Sequence, residues 1–203
     1  LWGVGTTMYS VFYGRMGDAA VAAMGVCTTI NDLVWVAIFA LMNATAIIVG
    51  KALGAGDRER AYLYAKRMMA GAVAAGVALG LLVIAVRWPL VNIFSGLSYP
   101  VREKAQFILM LGALTIWFRA FNTINIVGVL RSGGDTLFSL CLDVGTLWLV
   151  GVTSTGLAAL VFHWPLEWVY ACTFLEEAVK MAVGIPHFKK RQWMNVLTEQ
   201  PQG

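Results

Sequence analysis

The sequence predicts an all-α, polytopic membrane bundle of six helices, and three observations predict it. Of the 203 residues, 59% are hydrophobic and 13% charged, with a mean hydropathy of +0.73, outside the usual range of soluble globular domains. No charge stands between Met68 and Val86, nor between Val144 and Leu166. At about 1.5 Å per residue each run crosses a hydrocarbon layer roughly 30 Å thick. Compact clusters of Gly, Pro and charged residues punctuate the apolar runs, as turns between helices require.

The elements follow in order. The first run, about residues 1–13, ends at "YGRMGD" and is only about 20 Å long at the helical rise. It is too short to span, so it reads as a helix cut within its length, with part of the protein missing. The second helix, about 20–50, ends at "KALGAGDRER". The third, about 62–86, ends at "RWPLVNIFSGLSYP", which reads either as an ordinary loop or as a short amphipathic segment on the membrane surface. Within it Gly76 and Gly80 stand at GxxxG spacing, which lets helix backbones approach closely. The fourth helix, about 101–130, stops at "RSGGD"; the fifth, about 137–161, at "HWP"; the sixth, about 166–185, at "PHFKKRQW". Residues 1–186 thus form one six-helix lobe, and 187–203 a cytoplasmic tail.

Charge sets the orientation. With the second, fourth and last connections on one side, that side holds Lys51, Arg58, Arg60, Lys66, Arg67, Arg131, Lys189, Lys190 and Arg191. The other holds Arg15, Arg87, Arg102 and Lys104. The positive-inside rule then places the C-terminus in the cytoplasm of an integral, multi-pass plasma (inner) membrane protein. Trp88, Trp164, Trp168 and Trp193 fall at the expected interfaces. The net charge of +4 is absorbed by this topology, so membrane lipids are sufficient partners and nucleic acid is not implied. Cys27, Cys141 and Cys172 read as packing residues, and His163 and His187 as isolated. Without a metal-ligand pattern, or a nucleophile beside a base, the chain reads as neither metal-dependent nor enzymatic, and no cofactor is expected.

Two connections share a design. "VGKALGAGDRERA" and "GVLRSGGDT" each place glycine and then aspartate just past a helix end. Gly54, Gly56, Gly133 and Gly134 are expected to tolerate positive φ, while Asp57 and Asp135 cap the following helix. Arg131 closes the fourth helix where the dipole favours a cation.

These motifs, together with Asp143 and Trp148, Glu176 or Glu177 with Lys180, and the closing "RQWMN", resemble the second half of a MATE (multidrug and toxic compound extrusion) transporter over essentially the whole chain. The resemblance implies two six-helix lobes, a substrate cleft between them, and export of amphipathic or cationic organic compounds in exchange for Na⁺ or H⁺. It also implies that the other, N-terminal lobe is missing here, and that the carboxylate many members carry near the start of their seventh helix falls before Leu1. A lipid-linked oligosaccharide flippase of related fold and a non-transporting membrane scaffold are the alternatives.

A charge inside a spanning helix costs about 2.5 to 3.5 kcal/mol on insertion scales, so each needs a partner or a task. Asn125, Asp143 and Lys180 fall at similar depth, roughly 9 Å inside the cytoplasmic edge by helical rise. Asp143 is expected to pair with Lys180, which Glu176 or Glu177 shares at i,i+4 or i,i+3. This layer reads either as a structural ion-pair network or as an ion-coupling site. Arg119, Asn122 and Asn125 form a polar stripe that lines a cleft or bonds a neighbouring helix. Asn31 and Asp32 lie toward the outer end of the second helix, at a wet mouth or an ion site. Met8, Tyr9, Phe12, Trp35 and Phe39 offer a soft surface for substrates, or simply core and lipid contacts.

Overall fold

A computed structural model describes residues 1–94 and 96–195. Six helices follow one another: α1, Trp2–Arg15; α2, Asp18–Gly54; α3, Arg58–Ile93; α4, Tyr99–Arg131; α5, Thr136–Val161; and α6, Leu166–Lys189. Four of them, α2 to α5, are long and apolar enough to cross a membrane. At 24 residues α6 has the length to do so as well, but it carries Glu176, Glu177 and Lys180. Most of the large side chains on the outer faces, among them Leu33, Leu81 and Leu149, are exposed, as a bundle in lipid requires.

Glycine decides the closest helix contact. A Cβ on Gly76 would collide with the backbone of Trp117, and one on Gly80 with the carbonyl oxygen of Ala113. The GxxxG spacing therefore seats α3 against α4, and dispersion over the full contact holds them where lipid offers no hydrophobic driving force. Apolar residues gather in two clusters. One joins Phe12, Val26, Ile108, Leu109 and Val169; the other joins Val49, Leu53, Ala65, Leu130 and Trp193.

The connection after α3 corrects the sequence reading. Neither a loop nor a surface helix begins at Arg87; α3 continues through Pro89 to Ile93. Proline removes one hydrogen bond there, and fully buried Val91 anchors the last turn in the first cluster.

The two glycine turns differ in detail. Gly56 (φ +77°) and Gly134 (φ +89°) adopt the left-handed conformation, whereas Gly54 and Gly133 do not. Gly133 is small for a different reason: a Cβ there would sit 2.5 Å from the Trp193 carbonyl oxygen. Asp57 caps α3 as expected, its Oδ1 accepting from the Arg60 N–H at 2.9 Å. Asp135 makes no cap bond. Its carboxylate is engaged instead by His187 Nε2 at 2.5 Å, and the imidazole stacks on Phe138 with centroids 3.6 Å apart. His187 is thus not isolated. Arg131 ends α4 exposed, with no ion pair among the described residues.

Residues 187–189 complete α6, and the described residues after it pack back on the lobe. Arg191 pairs with Glu59 and lies 4.1 Å over the Tyr62 ring. Trp193 is fully buried, donates to the Phe188 carbonyl oxygen at 3.1 Å and stacks on that ring. The Asn195 N–H bonds Gly133 O at 2.9 Å. Trp193 therefore fills a core position rather than an interface, because the space beside Gly133 admits its ring. Residues 196–203 lie outside the described residues. Cys27 is buried, Cys172 half-buried and Cys141 exposed, so Cys141 does not pack into the core.

Gly76→Ala is expected to lower the thermal unfolding midpoint in detergent, through an overpacking cost of about 1 to 3 kcal/mol. Gly71→Ala, with open space at its Cβ position, is expected to raise it through helix propensity, by up to about 1 kcal/mol. Equal shifts for the two variants would remove the close-approach account.

Candidate polar layer between the helices

Four helices bring ionisable groups together inside the bundle. Lys180 Nζ on α6 lies 2.6 Å from Glu176 Oε1, one turn earlier, and 2.8 Å from Asp143 Oδ1 on α5. The Lys180 and Glu176 side chains are each 8% exposed, and Asp143 20%. The other Glu176 oxygen, Oε2, accepts from the Tyr9 hydroxyl of α1 at 2.7 Å. One ammonium thus ties α5 to α6, and its carboxylate partner ties α6 to α1.

Glu177 makes no direct ion pair with the lysine among the described residues. Rotation by about 100° per helical residue turns it to another face, where Oε1 lies 3.7 Å from Arg119 Nε and Oε2 accepts from Asn122 Nδ2 at 2.8 Å. The same amide donates to the Glu177 carbonyl oxygen at 2.9 Å. Arg119 lies 5.1 Å from the Trp35 ring centroid of α2, a cation–π contact that adds to its hold on Glu177. Spacing of i,i+3 or i,i+4 would place either glutamate beside the lysine; the seating of α6 against α4 and α5 gives Glu176 to Lys180 and Glu177 to Arg119.

Asn122 and Asn125 turn toward the neighbouring helix. They are 2% and 0% exposed and face α6. A Cβ on Gly184 would fall 2.8 Å from Asn125 Nδ2, so that glycine makes room for the amide. Neither polar atom of the Asn125 side chain, nor Asn122 Oδ1, has a hydrogen-bond partner among the described residues. Arg119 is about one-third exposed. Asn31 is half-buried; Asp32 is exposed and joins none of the ion pairs among the described residues.

Backbone geometry serves the layer. The last eight residues of α4, Ile124–Arg131, wind as π-helix, and α5 contains two π-helical stretches, Leu147–Val152 and Leu157–Val161. Gly151 lies in the first of these, where a Cβ would stand 2.5 Å from Glu176 Oε2 and would also strike the Tyr9 hydroxyl. Such π turns are frequent at functional sites. Sequence reading overlooked Gly151 and Gly184, and it grouped Tyr9 with apolar neighbours. A glycine in mid-span, opposite a charged helix, was the one available signal. Of the other side chains in that group, Phe12 is buried in the core, Trp35 carries the Arg119 contact, and Phe39 is exposed.

With every group ionised, three carboxylates (Asp143, Glu176, Glu177) face two cations (Lys180, Arg119). The layer therefore has the composition to accept one further positive charge.

The MatE family model matches residues 4–153 of the chain. Protein DETOXIFICATION 16 of Arabidopsis thaliana is 26% identical over 145 residues, which cover 70% of this chain and 29% of that protein. A MOP superfamily transporter from Pyrococcus furiosus, described as having a binding pocket of reverse polarity, superimposes with a TM-score of 0.84 at 16% identity, covering 94% of this chain and 42% of its own. A MATE crystal structure in complex with MaD3S superimposes with a TM-score of 0.86 at 15% identity, covering 96% and 44%. A multidrug resistance MATE transporter of the MOP superfamily in an outward-facing conformation gives 0.84 at 16%, covering 97% and 44%. The chain thus spans less than half the length of each of these relatives, and the structural likenesses establish the fold.

Lys180→Met is expected to lower stability by about 3 to 5 kcal/mol, since it strands two carboxylates in a poorly solvated interior. Adding Asp143→Asn and Glu176→Gln is expected to recover most of that loss. Thermal unfolding in detergent reads both effects; a triple variant no more stable than Lys180→Met would show that charge balance is not what the layer requires.

Proposed function

The chain belongs to the MatE family of membrane transporters, and from that premise we propose that it forms one six-helix lobe of a secondary antiporter. Its partner is a second, N-terminal lobe, and small amphipathic or cationic organic compounds pass between the two in exchange for Na⁺ or H⁺. Coverage of less than half of each relative supports the two-lobe reading. The distribution of Lys and Arg supports a cytoplasmic C-terminus.

One observation carries the ion-coupled reading: the buried layer holds one carboxylate more than it has cations. Neutralising that charge by a proton or Na⁺ at Asp143 or Glu176 changes which groups Lys180 must satisfy. A lysine held by two carboxylates at 2.6 and 2.8 Å locks α5 to α6. When one carboxylate is neutralised, that side of the clamp weakens, and the π-helical segments beside it can adopt a second packing. Coupling follows because the ion binds the two packings with different affinity, and substrate does the same; only differential affinity shifts a conformational equilibrium. Arg119, held by Glu177 and Trp35, stays part of the rigid body. The turns with Gly56 and Gly134, and the folded C-terminal segment, keep the helix ends together as the lobe moves.

Dye efflux from everted vesicles, with Na⁺ and H⁺ gradients imposed separately on the transporter containing this chain, tests the proposal. Asp143→Asn and Glu176→Gln, compared at matched folded amounts, are expected to lose gradient-driven efflux by about tenfold or more, as for removal of a polar group required in only one state. Undiminished efflux would leave the layer a purely structural one. The 203-residue chain by itself is expected to be inactive, and efflux by it alone would end the two-lobe reading.

A further inference from the structure

At the far end of α4 from the polar layer, α3 and α4 enclose a second chemically distinct site. Arg102 precedes Arg119 by 17 residues, about 25 Å along the helix. Arg87 and Trp88 follow directly on the charge-free run that ends at Val86, and α4 returns past the same level with Tyr99, Arg102 and Phe107. Between them lies a cleft of about 340 Å³ lined by these residues, Glu103 and Met110 among others. That volume falls within the roughly 300–1,000 Å³ of small-molecule sites.

The lining is graded from charge to grease. Two guanidinium groups stand against one exposed carboxylate, Glu103. Among the described residues Arg87 joins none of the ion pairs, and its Nε has no hydrogen-bond partner. Arg102 also has a partner within the protein. Trp88 and Tyr99 are 58% and 81% exposed, amphipathic rings suited to the depth of lipid headgroups. Phe107 lies two helical turns past Tyr99 toward the middle of the span and is also exposed.

We propose that this corner binds the phosphodiester headgroup of an anionic membrane phospholipid. The Arg87 guanidinium takes the phosphate oxygens in the forked geometry that guanidinium favours, and Arg102 supplies the second positive charge. Trp88 and Tyr99 flank the glycerol level, and one acyl chain lies along Phe107 and Met110. A zwitterionic lipid presents the same phosphate, but its own ammonium then adds a positive charge beside Arg87, which joins none of the ion pairs among the described residues. The preference is therefore for net negative headgroups.

Native mass spectrometry of the full chain released from detergent micelles tests this, with phosphatidylglycerol, phosphatidylcholine or inorganic phosphate added at equal concentration. The expected result is one retained phosphatidylglycerol, favoured over phosphatidylcholine about fivefold, the effect of one basic residue near an anionic surface. Arg87→Gln is expected to lower retention by about the same factor, and Arg87→Lys to restore part of it. Phe107→Ala, an exposed side chain outside the core, gives an independent reading and is expected to shorten retention as well. Equal retention of the two lipids, unchanged retention in both Arg87→Gln and Phe107→Ala, or displacement of the lipid by equimolar inorganic phosphate would each overturn the proposal, the last by reassigning the site to the free ion.

Discussion

Lys180 carries a positive charge into the interior of a bundle whose outer faces are apolar, and both Asp143 and Glu176 close on it. An ammonium in such surroundings is costly unless geometry and hydrogen bonding are nearly complete, so the packing of α5 on α6 has little freedom around it. Much of the neighbouring structure reads as accommodation to that clamp. Gly151 keeps α5 low enough for Tyr9 to reach Glu176, and Gly184 leaves the space that Asn125 fills. The π-helical windings in α4 and α5 reset which residues face the layer.

Away from the layer, cohesion comes from close approach and aromatic stacking. Lipid is as apolar as leucine, so α3 and α4 gain nothing from hiding hydrophobic surface from each other; they hold because Gly76 and Gly80 allow many dispersion contacts at short range. At the opposite corner Phe188 stacks between Tyr62 and Trp193, Arg191 fastens the segment after α6 to Glu59 at the start of α3, and Asn195 fastens it to Gly133. The result is a lobe whose ends are tied, with its unbalanced charge in between.

The limits of sequence reading can be located residue by residue. The six helices, the GxxxG contact, the Asp57 cap and the Asp143–Lys180 pair were all legible, because each depends on spacing along one chain or on shared depth across the membrane. The end of α3, the role of Asp135 and the place of Trp193 were not. In each of those cases tertiary packing overrode a sound local rule: Val91, buried in the first cluster, held a turn beyond proline, His187 drew Asp135 from its cap, and Gly133 opened a slot for an indole.

By itself, then, the sequence determined that this chain is a membrane bundle of six helices and which residues bring charge into it, since hydrophobic length and the cost of buried charge act on the chain segment by segment. Only the tertiary structure decided that Glu176 takes the lysine and Glu177 the arginine. Both glutamates satisfy helical spacing, and the choice between them is made by the rotation of α6 against α4 and α5, which packing at small residues sets and no single segment contains.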